Sequence, residues 1–222
     1  MRLSHTSLLT ILAASSFSFV PVAHGFTDFS AANTAHTSPS YVYHVAVDDA
    51  VQSGAKNFVD KLAQDGIGFL TDESLGEEER KSQFRKFLIK NFDMKAIGRF
   101  ALGRYWRASS DKEQKEYLDL FQDMIVDVYS KRFSEYDGQK LDVQSVRPEG
   151  KSDSIVTSVI IPNSGPKVRV DWRVRYKNNQ YRVIDIIVEG VSMALTQRSD
   201  FASVIQRGGG EVEVLLAHLR VE

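Results

Sequence analysis

The chain has 222 residues, enough for one domain of ordinary size, and 42% of them are hydrophobic, which is sufficient for a real core. Its formal net charge is −1, so the chain as a whole has no electrostatic bias toward nucleic acid. It contains no cysteine, which excludes disulfides, thiol catalysis and cysteine-based metal sites.

Residues 1–25 have the anatomy of a cleavable secretory signal peptide. A basic start precedes an apolar run at residues 8–22, and Ala23-His24-Gly25 provides a small-x-small cleavage site. The run is too short for a spanning helix, although an uncleaved anchor is the alternative. Residues 26–44 are rich in small polar residues and predict a flexible leader. We therefore expect an exported protein of the periplasm in which residues 45–222 form a single domain.

The first half of this domain has the pattern of amphipathic helices. Apolar residues recur at helical spacing from Val45, and the capping box Ser74-x-x-Glu77 predicts the start of a second helix. Asp93 is placed to cap a third helix over residues 94–106. A second capping box, Ser110-x-x-Glu113, predicts a long helix that continues to about residue 136.

The long helix carries a wide apolar arc that includes Tyr117, Phe121, Tyr129 and Phe133. Such an arc is usual for a helix buried in a core, and the alternative is that part of it lines a cavity. Two basic helix faces, at residues 81–90 and 99–107, are either solvated or surfaces that dock a partner or meet a phosphate group.

The second half of the domain predicts an antiparallel sheet followed by two helices. Strand-like runs at residues 140–147, 154–162, 167–177 and 181–189 are separated by short segments rich in Pro, Gly and Asn. Short connections join antiparallel neighbours. With helices predicted near residues 197–206 and 211–219, the fold class is α+β: N-terminal helices, a four-stranded antiparallel sheet and C-terminal helices.

The alternation of apolar and charged residues predicts how the last two strands pair. A three-residue loop that pairs Lys177 with Tyr181 places Arg173 opposite Asp185 and Arg169 opposite Glu189. The same register aligns Trp172 with Ile186, and Val170 with Val188, on the buried face. The competing register sets Asp171 against Asp185, and like charges directly opposite destabilise a sheet. We therefore predict that Asp185 and Glu189 are structural partners of arginines on the outer face.

A catalytic role for the same region is less well supported by the sequence than a structural one. Gly190-Val191-Ser192-Met193-Ala194 resembles a nucleophile elbow, but the predicted sheet is antiparallel and the only later histidine, His218, lies in the last predicted helix. Ser192 is more simply a residue that caps a bend. The histidines are scattered, so no metal site is predicted. Asp185 as a general base is the best enzyme alternative.

Several segments together carry a family resemblance. They are V-D-W-R-V-R-Y from Val170, Y-R-V-I-D-I-I-V-E-G-V-S-M from Tyr181, Q-R-S-D-F-A-S-V-I-Q-R-G-G from Gln197, L-L-A-H-L-R from Leu215, F-D-M-K-A-I-G-R-F-A-L-G-R-Y-W-R from Phe92 and Y-S-K-R-F from Tyr129. Taken together and in chain order, they resemble the MlaC/Ttg2D family, the periplasmic phospholipid-binding components of the Mla (Ttg2) ABC transport system.

The resemblance implies a twisted sheet packed on helices around an apolar cavity that holds the acyl chains of a phospholipid. It implies a carrier with no catalytic residue and no cofactor other than its phospholipid cargo. The implied partners are an inner-membrane ABC transporter complex and an outer-membrane lipoprotein complex, between which a monomeric protein shuttles lipid to maintain outer-membrane asymmetry. A hopanoid-associated lipid carrier is an alternative, and a lipid-free interaction module is another.

Cavity-lining residues are then expected on the helical arc, on the inner face of the strands and just beyond Gly190, with plain core as the alternative for each. They are Tyr105, Trp106, Tyr117, Phe121, Ile125, Val128, Val170, Trp172, Val174, Ile186, Val188, Val191 and Met193.

Overall fold

The structure is a computed structural model that describes residues 49–221, which belong to one compact unit. The predicted signal peptide and leader lie outside these residues. Within them the element order is α1 (Asp49–Thr71), α2 (Glu77–Asn91), α3 (Met94–Leu102), α4 (Tyr105–Ala108), α5 (Asp111–Ser130), β1 (Lys140–Glu149), β2 (Asp153–Ile161), β3 (Val168–Lys177), β4 (Gln180–Val188), β5 (Val191–Ser192), α6 (Met193–Arg207) and α7 (Val212–Leu219). None of these helices is long and apolar enough to cross a membrane.

The predicted α+β class is confirmed, but the sheet has five strands rather than four. All neighbours are antiparallel, in the order β1-β2-β3-β4-β5. The additional strand, β5, forms because the chain turns back at Glu189 and Gly190, whose φ angles are 49° and 83°. Two consecutive positive φ angles suit a two-residue hairpin turn. The chain therefore pairs Val188 with Val191 before α6 begins.

The register of β3 and β4 was predicted correctly at one end only. Val170 pairs with Val188, Trp172 with Ile186 and Arg173 with Asp185, as the charge argument required. Beyond Arg173 the register shifts by one residue, so the hairpin pairs Lys177 with Gln180 instead of Tyr181. The predicted three-residue loop is wrong because a two-residue turn closes this hairpin.

The turn explains the shift. Asn178 and Asn179 have φ angles of 52° and 57°, the conformation that a two-residue hairpin needs and that asparagine tolerates. A β-bulge at Ile184 absorbs the extra residue, since Val174 pairs with Val183 while Arg173 still pairs with Asp185. Val183 is consequently fully buried, in the position that simple alternation assigns to Ile184.

Helix starts and ends follow their local chemistry. The box at Ser110 is confirmed, with the Ser110 hydroxyl accepting from the Glu113 N–H and the Glu113 carboxylate accepting from the Ser110 N–H. The box predicted at Ser74 does not form, because Ser74 donates to Asp72 and α2 begins after Gly76. The helix predicted for residues 94–106 breaks at Gly103, where φ is 61° and only glycine is unstrained.

The helices and the sheet share three clusters of buried apolar side chains. The first joins α3, α4, α5, α6 and α7, the second joins α1, α2 and α5 to β4, and the third lies between α1 and strands β2 and β3. α1 approaches the sheet closely at Gly54, where a Cβ atom would stand 2.1 Å from the Tyr181 hydroxyl. The helices thus cover one face of the sheet, and a binding site is expected where the helices contact the sheet.

Candidate functional site

Four of the predicted lining residues lie between helices rather than facing the sheet. Tyr105, Trp106, Tyr117 and Phe121 belong to the first buried cluster, in which Phe201 makes edge-on ring contacts with Tyr117 and Phe121. The Tyr117 hydroxyl donates to the Gly98 carbonyl at 2.9 Å, and burial raises the pKa of this phenol. These four side chains therefore have a packing role whatever else they do.

The other predicted residues divide by burial. Val170 and Val174 are 3% and 1% exposed, and Val174 packs with the third cluster under α1. Val188 and Met193 are half-buried, whereas Val128 and Val191 are 42% and 48% exposed. These residues do not form one continuous buried set.

Three predicted residues do meet at one place. Ile125 of α5, Trp172 of β3 and Ile186 of β4 are half-buried and pack against the second cluster. The indole N–H of Trp172 donates to the Ser158 hydroxyl at 2.9 Å, so the polar atom of this ring is satisfied within the sheet. The rest of the ring is free to make apolar contacts.

Four phenylalanines extend this surface, and they were not predicted as lining residues. Phe69 of α1, Phe84 and Phe87 of α2, and Phe133 after α5 form the phenylalanine cluster, with ring centroids 5.1 to 6.4 Å apart. All four rings are half-buried, and Phe84 and Phe87 pack against the same buried residues as Ile125, Trp172 and Ile186. The helical spacing of Phe84 and Phe87 was visible in the sequence, but their meeting with Phe69 and Phe133 depends on the tertiary fold.

Tyr129 continues this surface along α5. It follows Ile125 by one helical turn, so both residues lie on the same face of α5. The side chain is 37% exposed, yet desolvation raises the pKa of its phenol, against a smaller opposing effect of Arg132. Water therefore reaches only part of this side chain. We call the phenylalanine cluster together with Ile125, Tyr129, Trp172 and Ile186 the apolar surface.

The contacts of Asp185 differ from the predicted ones. Its carboxylate accepts from the Ser192 hydroxyl at 2.6 Å and from the Ala194 N–H at 3.0 Å, both at the start of α6. The Ser192 hydroxyl in turn accepts from the Leu195 N–H, as expected for a helix cap. Arg173 lies opposite Asp185 along the backbone, but its side chain binds Asp153 on the other neighbouring strand.

Glu189 also differs from its predicted arrangement. Its carboxylate accepts from the backbone N–H of Arg169, not from the guanidinium group. Both acids therefore satisfy backbone donors at the end of the sheet, which keeps their role structural but changes their partners. Among residues 49–221, no group of three or more His, Asp or Glu side chains is placed to hold a metal ion.

Removing the cap is expected to have a modest effect. Ser192→Ala deletes the hydroxyl that serves both Leu195 and Asp185, so we expect the free energy of unfolding in urea to fall by about 1 kcal/mol. Ser199→Ala, on the exposed part of the same helix, is the control and should change it by less than about 0.5 kcal/mol. Equal effects of the two substitutions would show that Ser192 is not a significant cap.

Helices on one face of an open antiparallel sheet, with a partly exposed apolar surface where α1, α2 and α5 meet β3 and β4, define an α+β protein. The family model described as MlaC protein matches residues 60–221. The chain belongs to this family, and the resemblance found in the sequence is confirmed.

Individual relatives agree with this assignment. The chain is 22% identical over 129 residues to the intermembrane phospholipid transport system binding protein MlaC of Haemophilus influenzae, covering 56% of this chain and 60% of that protein. It is 20% identical over 110 residues to the toluene tolerance protein ttg2D of Pseudomonas putida, covering 50% of this chain and 51% of that protein. The matched part thus spans only half to three-fifths of these curated relatives.

A solved structure has a similar fold. It is that of the phospholipid-binding protein from Ralstonia solanacearum in complex with a phospholipid, with a TM-score of 0.66 and 23% sequence identity. The similarity covers 75% of this chain and 94% of the other. At this identity the likeness establishes the shared fold.

Proposed function

We propose that this chain is a periplasmic phospholipid carrier in which residues 45–222 form the lipid-binding domain. Its family membership supports this proposal, as do the names of its relatives, which are a phospholipid transport binding protein and a phospholipid-binding protein. The observation in the chain itself that carries the proposal is the apolar surface. Partly exposed aromatic rings gathered on one surface cost free energy in water, and an apolar ligand would cover them.

Acyl chains fit the chemistry of this surface. At roughly 0.8 kcal/mol per buried CH₂ group, two long acyl chains represent more than about 20 kcal/mol of transfer free energy. A single phospholipid therefore cannot cross water unshielded, and a carrier must offer apolar contacts along most of the tails. We propose that the tails lie against the phenylalanine cluster, Ile125, Tyr129, Trp172 and Ile186, while the head group remains in water.

The remaining predicted residues have different places in this proposal. Val128, Val188, Val191 and Met193 are exposed or half-buried and stay candidates for contact with the lipid. The buried residues Tyr105, Trp106, Tyr117, Phe121, Val170 and Val174 would meet a tail only if the core opened. We propose that binding requires no chemical step, and that the carrier exchanges lipid between an outer-membrane and an inner-membrane complex of the Mla type.

Native mass spectrometry of the purified chain, followed by solvent extraction, tests the proposal. We expect a mass increase that corresponds to about one bound phospholipid per chain, and a glycerophospholipid in the extract. A hopanoid in the extract would favour the alternative cargo. An empty chain that also fails to take up phospholipid from vesicles would refute the carrier function.

A further inference from the structure

The two basic helix faces seen in the sequence behave differently in the fold. On α2, Lys81 forms an ion pair with Asp127 at 2.5 Å and Arg85 one with Asp123 at 2.6 Å, so much of that charge is neutralised by α5. The second face, on α3 and α4, lines a groove of about 750 Å³. This basic groove is lined by Asp93, Lys95, Ala96, Arg99, Phe100, Gly103, Arg104, Trp106, Arg107, Arg175, Lys177 and Arg198.

The basic groove carries an excess of positive charge that the described part of the chain does not neutralise. Seven of its lining residues are cationic and only Asp93 is acidic. Arg175 pairs with Asp153, but no carboxylate in residues 49–221 lies within 4.0 Å of the other six cations. Asp93 is itself engaged as the cap of α3, accepting from the Ala96 N–H. Like charges gathered in this way repel one another, so an anionic partner would relieve that cost.

Three of the guanidinium groups are held in place by aromatic rings. Arg99 lies 5.8 Å from the ring centroid of Trp106, and Arg198 lies 5.3 Å from that of Phe100. Arg104 lies 4.9 Å from the Tyr105 ring and donates to its hydroxyl. Stacking of this kind fixes the plane of a guanidinium group and leaves N–H donors at its edge for carboxylates. The groove is therefore partly organised before any partner binds.

We propose that the basic groove is a docking site for an acidic protein segment. This inference depends on the proposed function at one point only, because a carrier must recognise a protein that gives or receives its lipid. Concavity favours a protruding segment over a membrane, because a flat lipid surface would reach the rim but not the floor. Phe100, 42% exposed within the groove, offers an apolar contact between the charges. None of the lining residues belongs to the apolar surface, so docking and cargo binding use separate side chains.

A charge-reversal variant tests this docking site. Lys95, Arg107 and Lys177 are exposed groove residues that lack the ring contacts described above, so Lys95→Glu/Arg107→Glu/Lys177→Glu should preserve the fold. The matched control is Lys112→Glu/Lys131→Glu/Lys151→Glu, which makes the same change in net charge at exposed lysines outside the groove. The probes are a fluorescent ten-residue glutamate peptide and vesicles of phosphatidylglycerol, each titrated with the full purified chain at two salt concentrations.

The proposal expects the unmodified chain and the control to bind the glutamate peptide more weakly at higher salt. The groove variant should bind it more than about tenfold more weakly. Equal affinity of the groove variant and the control would overturn the proposal, as would failure of the unmodified chain to bind the peptide. Groove-dependent binding to vesicles without binding to the peptide would overturn it in favour of a membrane contact. Extraction of lipid from the same samples separates the two proposals, since an empty unmodified chain would count against the carrier and not against the groove.

Discussion

Tyr129→Arg is expected to remove most of the phospholipid that co-purifies with the chain. The side chain belongs to the apolar surface, and desolvation already raises the pKa of the phenol. A guanidinium at this position would have to stay charged beside acyl chains, and an unpaired buried charge costs several kcal/mol. A loss of about 1.4 kcal/mol in binding is tenfold in affinity, so we expect lipid occupancy, measured by native mass spectrometry, to fall at least about tenfold.

Ile89→Arg provides the control for this substitution. Ile89 is an apolar residue on α2 that is 48% exposed, and it does not belong to the apolar surface. Because it already faces water, we expect an arginine there to leave both lipid occupancy and melting temperature nearly unchanged. If Tyr129→Arg retained full lipid occupancy with an intact fold, the tails would have to lie elsewhere, and the proposed location of the site would be wrong.

The sequence predicted the fold class because its local patterns were consistent with one another. Alternation in residues 167–177 and helical periodicity before residue 137 lead to the α+β order that the structure has. The details that failed were decided by backbone conformation. Asn178-Asn179 could have been recognised as a two-residue turn from asparagine's tolerance of positive φ. The bulge at Ile184 could not have been recognised in the same way. It compensates for the one-residue difference between the register at the turn and the register farther along the strands, which is set by packing.

The candidate site was predicted less well than the fold, for a physical reason. An apolar residue that lines a recess has the same side-chain chemistry as one that fills a core, so periodicity cannot separate Tyr117 from Tyr129. The difference lies in what faces each residue. Tyr117 is enclosed by Gly98, Phe121 and Phe201, whereas Tyr129 remains 37% exposed. Only the packing of distant elements distinguishes the two.

The partners of charged side chains also depend on tertiary packing that the sequence does not show. The prediction for Arg173 and Asp185 identified the correct facing positions, but a central strand has two neighbours, and both can offer a carboxylate. Asp153 on β2 accepts a hydrogen bond from Arg173. Asp185 is therefore not paired with Arg173 and accepts hydrogen bonds at the start of α6 instead. Asp153 thereby accepts from two arginines of β3, although no sequence pattern singled it out.

Asp153→Asn is expected to be strongly destabilising. The carboxylate is 4% exposed and accepts from Arg173 at 3.0 Å and from Arg175 at 2.7 Å and 3.0 Å, so it joins β2 to β3 by three charged hydrogen bonds. Breaking such a pair leaves cations without their partner, but these arginines are about two-fifths exposed and can turn to water, which reduces the cost. We expect the free energy of unfolding to fall by about 2–3 kcal/mol, and the melting temperature by roughly 5–10 °C.

The control for Asp153→Asn is Asp142→Asn on the exposed edge strand β1, which should change stability by less than about 0.5 kcal/mol. Equal stability of the two variants would show that the charged hydrogen bonds of Asp153 add nothing beyond their desolvation cost.

The pH dependence of this effect follows from the pKa of Asp153. Burial on its own would raise that pKa, but hydrogen bonds from Arg175 and then Arg173 outweigh burial and hold the pKa below its usual range. A carboxyl group whose pKa is lower in the folded state contributes stability above its unfolded pKa, and this contribution is lost as pH falls through the folded pKa. We therefore expect the stability difference between the natural chain and Asp153→Asn to be constant near neutral pH and to shrink below about pH 4. Urea denaturation of both proteins between pH 7 and pH 3 measures this difference, and a gap that widened toward acid would contradict the assigned ion pairs.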